Sequence, residues 1–156
     1  MAKVYAARAS DFLGINLNDL IAHQTSFDFY NDIHGSLHSQ TYEDLLRIGF
    51  NAGVDSYAWF GGTGFAFNAG HTAMTAGTVN AYEQQVLSGD SYVTSWGIEG
   101  FSYSGVTMYN AAITPGTTDD YAVLASILAG ADTFDLSSGA DRAQGYAGND
   151  TMHGFA

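Results

Sequence analysis

Glycine and aspartate recur at a fixed spacing near the C-terminus, and this pattern has the clearest chemistry in the chain. Every nine residues a glycine is followed two positions later by an aspartate and two further on by a third residue, here called U. The glycines are Gly130, Gly139 and Gly148, the aspartates are Asp132, Asp141 and Asp150, and the U residues are Phe134, Ala143 and Met152. Glycine permits turns that aim carbonyl oxygens inward, and aspartate adds a hard charged oxygen. The pattern therefore predicts a calcium-binding repeat.

Divided into units of nine, residues 127–153 form three units, and the third, GYAGNDTMH, is closest to the nonapeptide GGxGxDxUx. The segment resembles the RTX family of calcium-binding repeats, whose members form a parallel β-roll and leave the cell by type I secretion with an uncleaved C-terminal signal. Gly154, Phe155 and Ala156 resemble the opening of a fourth unit. We therefore expect the roll to be truncated at the end of this chain.

The resemblance implies where the aspartates of the repeat lie. Two nonapeptides complete one coil, so Asp132 and Asp150 are expected on the same edge, where they share a calcium ion. Gly130 and Gly148 are expected in the turns that supply carbonyl oxygens beside them. Asp141 is expected to face the opposite edge, with its partner turn downstream of the chain. The resemblance thus implies a single complete calcium site.

The body of the chain, residues 1–128, contains the elements that would have to position any other site. Asn16 precedes apolar residues at helical spacing and predicts a capped helix that ends near Gln24. Thr118, followed by two aspartates, predicts the start of a second helix, because acidic residues suit a helix N-terminus. Five or six antiparallel strands are predicted from aromatic and β-branched stretches separated by turn residues, namely SYAWFGGTGFAFN, TAGTVNAYEQ, SYVTSWGIEGFSY and VTMYNAA. The segment TYEDLLRIGF fits either a helix or a strand.

The order of these features resembles the hemophore (HasA) family, an α+β fold that is also exported by type I secretion. The likeness is carried by GINLNDLIAHQTSF, YNDIHGSLHS, GTGFAFNAGHT and GFSYSGVTMYNAA. It implies a curved antiparallel β-sheet with helices packed on one face. The expected fold class is therefore α+β: such a globular domain over residues 1–128, followed over residues 129–156 by the start of a parallel β-roll.

The hemophore resemblance also implies a second candidate site. Hemophores hold haem iron from two loops, with a histidine on one and a tyrosine, assisted by a histidine, on the other. By position, His34 falls in the first loop and His71 near the assisting histidine. The tyrosine is missing, since Phe65 and Phe67 occupy that strand region. Haem held directly by His34 and His71, with Phe65, Phe67 and Met74 as apolar walls, is therefore the alternative function.

Other titratable pairs have weaker patterns. His34 and His38 stand four residues apart, which on a helix would direct both rings to one metal ion. The intervening Gly35 and Ser36 favour a loop, so we interpret both histidines as polar loop residues.

Catalytic motifs are not found in the sequence. The paired acids, Glu43 with Asp44 and Asp119 with Asp120, are adjacent and so point to different sides. The sequence has no GxSxG elbow, Walker loop or dinucleotide fingerprint. We expect a binding or structural protein rather than an enzyme.

Charge and composition limit the partners. Sixteen acidic and four basic residues give a formal net charge of -12, which would repel nucleic acid and anionic lipid. No apolar run approaches the length of a membrane span, and the N-terminus lacks the pattern of a cleaved signal peptide. If Tyr57, Trp59, Tyr92 or Trp96 face outward together, they would bind polysaccharide or a second subunit. We expect a secreted module, extracellular or at the cell surface, that binds calcium and serves attachment, matrix or surface assembly.

Overall fold

The computed structural model of the chain describes residues 1–12 and 15–155. Leu13, Gly14 and Ala156 lie outside the described residues, and with them the first residue of the hemophore-like segment and the last of the expected fourth unit. The described strands are β1 (Lys3–Ala6), β2 (Gln24–Tyr30), β3 (Gly35–Leu37), β4 (Gln40–Tyr42), β5 (Asp44–Asn51), β6 (Asp55–Phe67), β7 (Met74–Ser88), β8 (Ser91–Ser104), β9 (Thr133–Asp135) and β10 (Thr151–His153). The helices are α1 (Asn18–Ala22), α2 (Gly105–Ile113) and α3 (Thr118–Ile127). The predicted α+β class is confirmed.

One large sheet dominates the fold, with the strand order β10-β9-β1-β8-β7-β6-β5-β2. Neighbouring strands from β2 to β1 are antiparallel. The pairs β1–β9 and β9–β10 are parallel. Strand β1 lies between β8 and β9, so the sheet continues across residue 128, where the division into two domains was predicted. That division stays a prediction.

The helices cover one face of the sheet. Alternate residues of each strand point to this face, as the period of a half-buried strand requires. Leu46, Ile48 and Phe60 from the sheet join Met108 of α2 and Leu124 of α3 in a single buried cluster. The opposite face, here called the outer face, is covered in part by the β3–β4 hairpin, whose buried residues pack on β5 and β7.

The local predictions for two segments had different outcomes. The segment VTMYNAA was predicted as a strand and is wrong, because it forms most of α2. The side chain of Ser104 caps that helix by accepting the N–H of Thr107 at 3.2 Å. Met108, Ala111 and Ala112 then face the core at helical spacing. The ambiguous TYEDLLRIGF forms the end of β4 and most of β5.

The two predicted helices exist with different starts and caps. The helix after Asn16 begins at Asn18 and ends at Ala22, and β2 already starts at Gln24. Its N-cap position is Leu17, and the side chain of Asn16, the predicted cap, accepts the backbone N–H of Asn18 at 3.1 Å. The second helix begins at Thr118, which was predicted as its cap, and its N-cap position is Thr117 without a side-chain hydrogen bond. The helices of the described region are all too short to cross a lipid bilayer.

Candidate functional site

The glycine-aspartate repeat forms two short parallel strands in register. Thr133 pairs with Thr151, and Phe134 pairs with Met152, so the two strands differ by two nonapeptide units. Asp132 and Asp150 immediately precede these strands and lie at the same edge. The backbone N–H of Asp132 donates to Oδ1 of Asp150 at 2.9 Å, across a separation of 18 residues. The expected proximity of these two aspartates is thus present in the structure.

Asp132 is buried, and one of its two carboxylate oxygens accepts a hydrogen bond. The residue is 2% exposed. Its Oδ1 accepts the backbone N–H of Ala2, whereas its Oδ2 is buried and has no hydrogen-bond partner among the described residues. An ionised oxygen without a donor or counter-ion is costly in a protein interior. Asp132 therefore has an oxygen that could serve a cation.

Asp120 is the other residue of the described region with a buried, unpartnered side-chain oxygen. Its Oδ1 has no partner, while Oδ2 accepts the backbone N–H of Leu17 at 3.0 Å. Burial raises the pKa of the Asp120 carboxyl, and the nearby Asp119 and Asp19 act in the same direction. Asp120 thus shares with Asp132 a buried oxygen without a partner, but it lies outside the glycine-aspartate repeat.

The turns before the two aspartates are held close by glycine. Gly148 has a φ of 115°, and a Cβ added there would overlap the carbonyl oxygen of Gly130. A Cβ at Gly145 would overlap Oδ2 of Asp150. Glycine thus allows the backbone of one unit to stack directly on the backbone of the other. Gly130 and Gly148 are brought together as expected of turns that flank the aspartates.

Asp141 lies in different surroundings. Its Oδ1 accepts the backbone N–H of Ser10 at 2.7 Å, and its Oδ2 accepts both the N–H and the hydroxyl of Ser137 at 2.8 Å each. Both oxygens therefore have donors. We expected its neighbour across the edge to lie downstream of the chain, but the contact comes from residue 10. Calcium binding by Asp141 stays a prediction.

A cation at Asp132 and Asp150 would need oxygens beyond these two side chains. Within residues 1–12 and 15–155, no three His, Cys, Asp or Glu side chains group so that they could hold a metal ion together. Calcium takes six to eight oxygens, many of them from backbone carbonyls. The unpartnered Asp132 Oδ2, the adjacent Asp150 and the stacked glycine turns have the chemistry that calcium prefers.

The two histidines of the alternative haem site lie in loops at the same end of the sheet. His34 is exposed in the loop after β2, and His71 is exposed in the loop between β6 and β7. The ring of His71 stacks on Phe27 at 5.5 Å and meets Phe67 edge-on at 6.1 Å between ring centroids. His34 donates its backbone N–H to the carbonyl of Glu43 at 3.2 Å. The structure therefore packs His71, but not His34, against an aromatic group.

The side chain of Asp44 connects the loop after β2, which contains His34, to strand β6, which precedes the loop of His71. It is 1% exposed, and its two oxygens accept the backbone N–H of Asp32 at 3.0 Å and that of Phe65 at 2.8 Å. Phe65 and Met74, expected as haem walls, are buried in the core of the protein. Asp44 is thus a structural link between the loops.

The sequence analysis missed a cluster of acids on the outer face. Glu83 and Glu99 are 4% and 7% exposed. Tyr5 donates its hydroxyl to Glu83 at 3.0 Å, and His38 lies 3.2 Å from Glu99. The His38 ring stacks on Tyr5 with 3.9 Å between ring centroids. The alternation of β7 and β8 places both glutamates on one face, but no spacing in the sequence predicts that the turn of the β3–β4 hairpin contacts Glu99.

The pKa values of two phenol groups near these glutamates are raised, as expected beside buried acids. Burial, followed by the charge of Glu83, raises the pKa of the Tyr5 hydroxyl. Burial and the charge of Glu99 raise the pKa of Tyr42 to about 12. Both phenols therefore stay protonated at neutral pH, and that of Tyr5 donates to Glu83.

Three of the four aromatic residues considered for a surface platform lie on the outer face. The rings of Tyr57 and Tyr92 are 4.1 Å apart, and the Arg47 guanidinium lies over Tyr57 at 4.6 Å. Trp59 is half-buried beside them. Trp96 belongs to the core beneath the helices. The platform prediction therefore fails for Trp96, because its strand position faces the other side of the sheet.

Compared with family models, with curated proteins and with solved structures, the chain has no match.

Proposed function

We propose that the protein is a secreted calcium-binding module of the RTX type, exported by type I secretion, whose repeat orders around calcium outside the cell. The observation that carries the proposal is the unpartnered, buried Oδ2 of Asp132 next to Asp150. Strands β9 and β10 are taken as the first layers of a parallel β-roll. Extracellular calcium modules bind with dissociation constants of about 10⁻⁴ to 10⁻³ M, which matches the calcium concentration outside cells.

The charge of the protein supports a cation as the ligand of this edge. The chain has a formal net charge of -12. Cations near the repeat are directed elsewhere: Lys3 and His153 both contact Asp135, at 3.0 Å each. Asp132 therefore lacks a basic partner in the described region, and a divalent ion would neutralise it and Asp150 together.

Calorimetric titration of the whole chain with calcium, followed by circular dichroism, tests the proposal. We expect binding by the wild type and a roughly tenfold or greater loss of affinity in Asp132→Asn, because one of two carboxylate ligands is lost. Asp141→Asn is the matched control, since it makes the same change at the same motif position. Equal affinities of the two variants, or no uptake by the wild type at millimolar calcium, would contradict the proposal.

The module is proposed to serve attachment, matrix or surface assembly. Strong like charge keeps copies of a protein apart, and a bound divalent cation reduces that repulsion. Tyr57 and Tyr92 lie on the outer face, where polysaccharide is an alternative contact to a second copy. Light scattering with calcium should detect assembly that magnesium at the same ionic strength does not produce. Identical scattering in both ions would contradict calcium-dependent assembly.

A haem carrier of the hemophore kind is the second candidate function. It is favoured by the loops of His34 and His71 lying at one end of the sheet and by the packing of His71 on Phe27. Titration with hemin would then produce a Soret shift that is reduced in His71→Ala, because an imidazole ligand is lost. A titration without a shift would eliminate this candidate.

A further inference from the structure

The N-terminal segment lies where a preceding coil of the repeat would lie. Strand β9 has two parallel neighbours, β10 on one side and β1 on the other. Phe134 pairs with Met152 in β10 and with Val4 in β1. Parallel pairing of β1 with β9 therefore continues the stacking that relates β9 to β10.

The backbone hydrogen bonds repeat as well. Between the two units of the repeat, Asp150 Oδ1 accepts the N–H of Asp132, and the N–H of Thr151 donates to the carbonyl of Asp132 at 2.9 Å. One step earlier, Asp132 Oδ1 accepts the N–H of Ala2, and the N–H of Thr133 donates to the carbonyl of Ala2 at 3.1 Å. Ala2 thus stands where the aspartate of a preceding coil would stand.

The same arrangement occurs at the opposite edge. Asp141 Oδ1 accepts the N–H of Ser10 at 2.7 Å, and the N–H of Arg142 donates to the carbonyl of Ser10 at 3.0 Å. Asp11 and Arg142 form a parallel bridge, and their side chains pair at 2.8 Å. The N–H of Phe12 donates to the carbonyl of Arg142 at 2.9 Å. Ser10 therefore occupies the aspartate position of the second half-coil.

The N-terminal segment also has a residue at the U position, because Val4 pairs with Phe134. Val4 and Phe134 are 0% and 1% exposed and belong to the main core. Met152, the next in the stack, is 46% exposed. The repeat thus begins on the buried core of the body and becomes more exposed with each coil, as expected of a solenoid that is capped at one end.

Residues 2–12 differ from a repeat unit in chemistry. Ala2 and Ser10 have no carboxylate, so this segment has no acidic side chain at the two motif positions, and its one aspartate, Asp11, pairs with Arg142. The first place where two aspartates of the repeat adjoin is between Asp132 and Asp150. The segment can therefore stack without an ion, whereas the next coil has a carboxylate oxygen to neutralise.

We infer that residues 2–12 are a first coil without an aspartate at either motif position, on which the repeat orders, and that docking of this segment regulates calcium binding at Asp132. The regulatory part rests on the proposed function. The carboxylate of Asp132 accepts the Ala2 N–H with Oδ1 and leaves Oδ2 for the ion. Docking of residues 2–12 therefore fixes the position of this ligand before calcium binds. By thermodynamic reciprocity, calcium must then stabilise the docking of β1 to the same degree.

Hydrogen exchange measured by mass spectrometry on the whole chain tests both parts. The variant Ala2→Pro removes the N–H that Asp132 accepts, and Ser10→Pro is its matched control at the Asp141 edge. In the absence of calcium, Ala2→Pro should accelerate exchange in residues 132–136, because the first coil no longer holds them. With calcium, the wild type should exchange more slowly in residues 3–6. Calcium affinity should fall about fivefold or more in Ala2→Pro and remain near wild type in Ser10→Pro.

The outcomes separate this inference from the proposed function. Wild-type affinity in Ala2→Pro, or unchanged exchange of residues 3–6 in the wild type at saturating calcium, overturns the regulation while leaving calcium binding intact. Unchanged exchange of residues 132–136 in calcium-free Ala2→Pro overturns the templating role. No calcium uptake by the wild type overturns the proposed function and the regulation together, and the templating role is then decided by the calcium-free comparison. If Ala2→Pro does not fold, the wild-type exchange with and without calcium still decides the regulation.

Discussion

Asp132 and Asp141 occupy the same position of the same motif, yet the fold gives them different chemistry. Each accepts a backbone N–H from the N-terminal segment with Oδ1. At Asp141 the second oxygen is satisfied by Ser137, whereas at Asp132 the second oxygen is buried without a partner. The motif therefore determines where the carboxylate lies, and the neighbouring loop determines whether an oxygen remains for an ion.

The comparison extends to the U positions of the two coils. Phe134 is inserted into the core of the body, while Met152 lies at the open edge of the sheet. The repeat thus has a side anchored by hydrophobic packing and a side that depends on local interactions. Calcium is expected to stabilise mainly the side that contains Met152, because isolated repeats cannot bury a core of their own.

The largest effect is expected at the anchored side. Phe134→Ala should lower the free energy of unfolding by about 3–5 kcal/mol, since it removes a fully buried aromatic ring. Met152→Ala should change it by less than about 0.5 kcal/mol, as is usual for exposed positions. Urea unfolding in the presence of a chelator measures both. Similar losses in the two variants would show that the repeat is not anchored through Phe134.

The two aspartates should respond to different degrees when calcium is chelated. Asp141→Asn should lower the free energy of unfolding by about 1.5–3 kcal/mol, because hydrogen bonds to the carboxylate are lost and an amide N–H₂ would face the donors of Ser137. Asp132→Asn should cause a smaller loss, because its Oδ2 has no hydrogen bond to lose. Thermal unfolding in chelator measures the pair. A greater loss in Asp132→Asn than in Asp141→Asn would reverse the comparison.

The stacking of the glycine turns can be tested at Gly148. An alanine there combines a left-handed backbone with overlap of the Gly130 carbonyl, so we expect a loss of about 1–3 kcal/mol and weaker calcium binding. Gly89→Ala is the control, since Gly89 has a φ of 63° but no heavy atom within 4 Å of an added Cβ. The control should lose stability from backbone strain alone and keep its calcium affinity. Calcium titration of both variants distinguishes the two causes.

The smallest effect is expected from Asp135. This residue lies three positions after Asp132, but its carboxylate contacts Lys3 and His153. Hydrogen bonds from His153 and then Lys3 lower the pKa of the Asp135 carboxyl. A carboxyl with a lowered pKa stabilises the fold above its unfolded pKa of about 3.9, and that contribution disappears as the pH falls through the lower folded pKa. Exposure makes the contribution small. Melting temperatures of wild type and Asp135→Asn should differ slightly at pH 5 and converge in acid; a constant difference would contradict the assignment.

The sequence by itself determined the α+β class, most strands of the body and the proximity of Asp132 to Asp150. The strands follow from local alternation, which sets the face of a strand. The α+β class and the alignment of Asp132 with Asp150 were implied by the two family resemblances, because a period of nine alone does not distinguish Asp150 from Asp141 as the neighbour of Asp132. The strand prediction for VTMYNAA was wrong because its aromatic and β-branched residues outweighed the Ser104 cap. The burial of Glu83 and Glu99 was missed because Tyr5 and the turn of the β3–β4 hairpin, which contact them, are distant in sequence.

Only the tertiary structure revealed that residues 2–12 pair with the repeat. Ala2 and Ser10 carry neither the glycine nor the aspartate by which a repeat is recognised, and they take part through backbone N–H and C=O groups that every residue except proline possesses. Backbone pairing leaves no trace in side-chain identity, so no reading of the sequence could place β1 against β9. The same pairing occupies Oδ1 of Asp132 with the Ala2 N–H, while Oδ2 has no partner among the described residues.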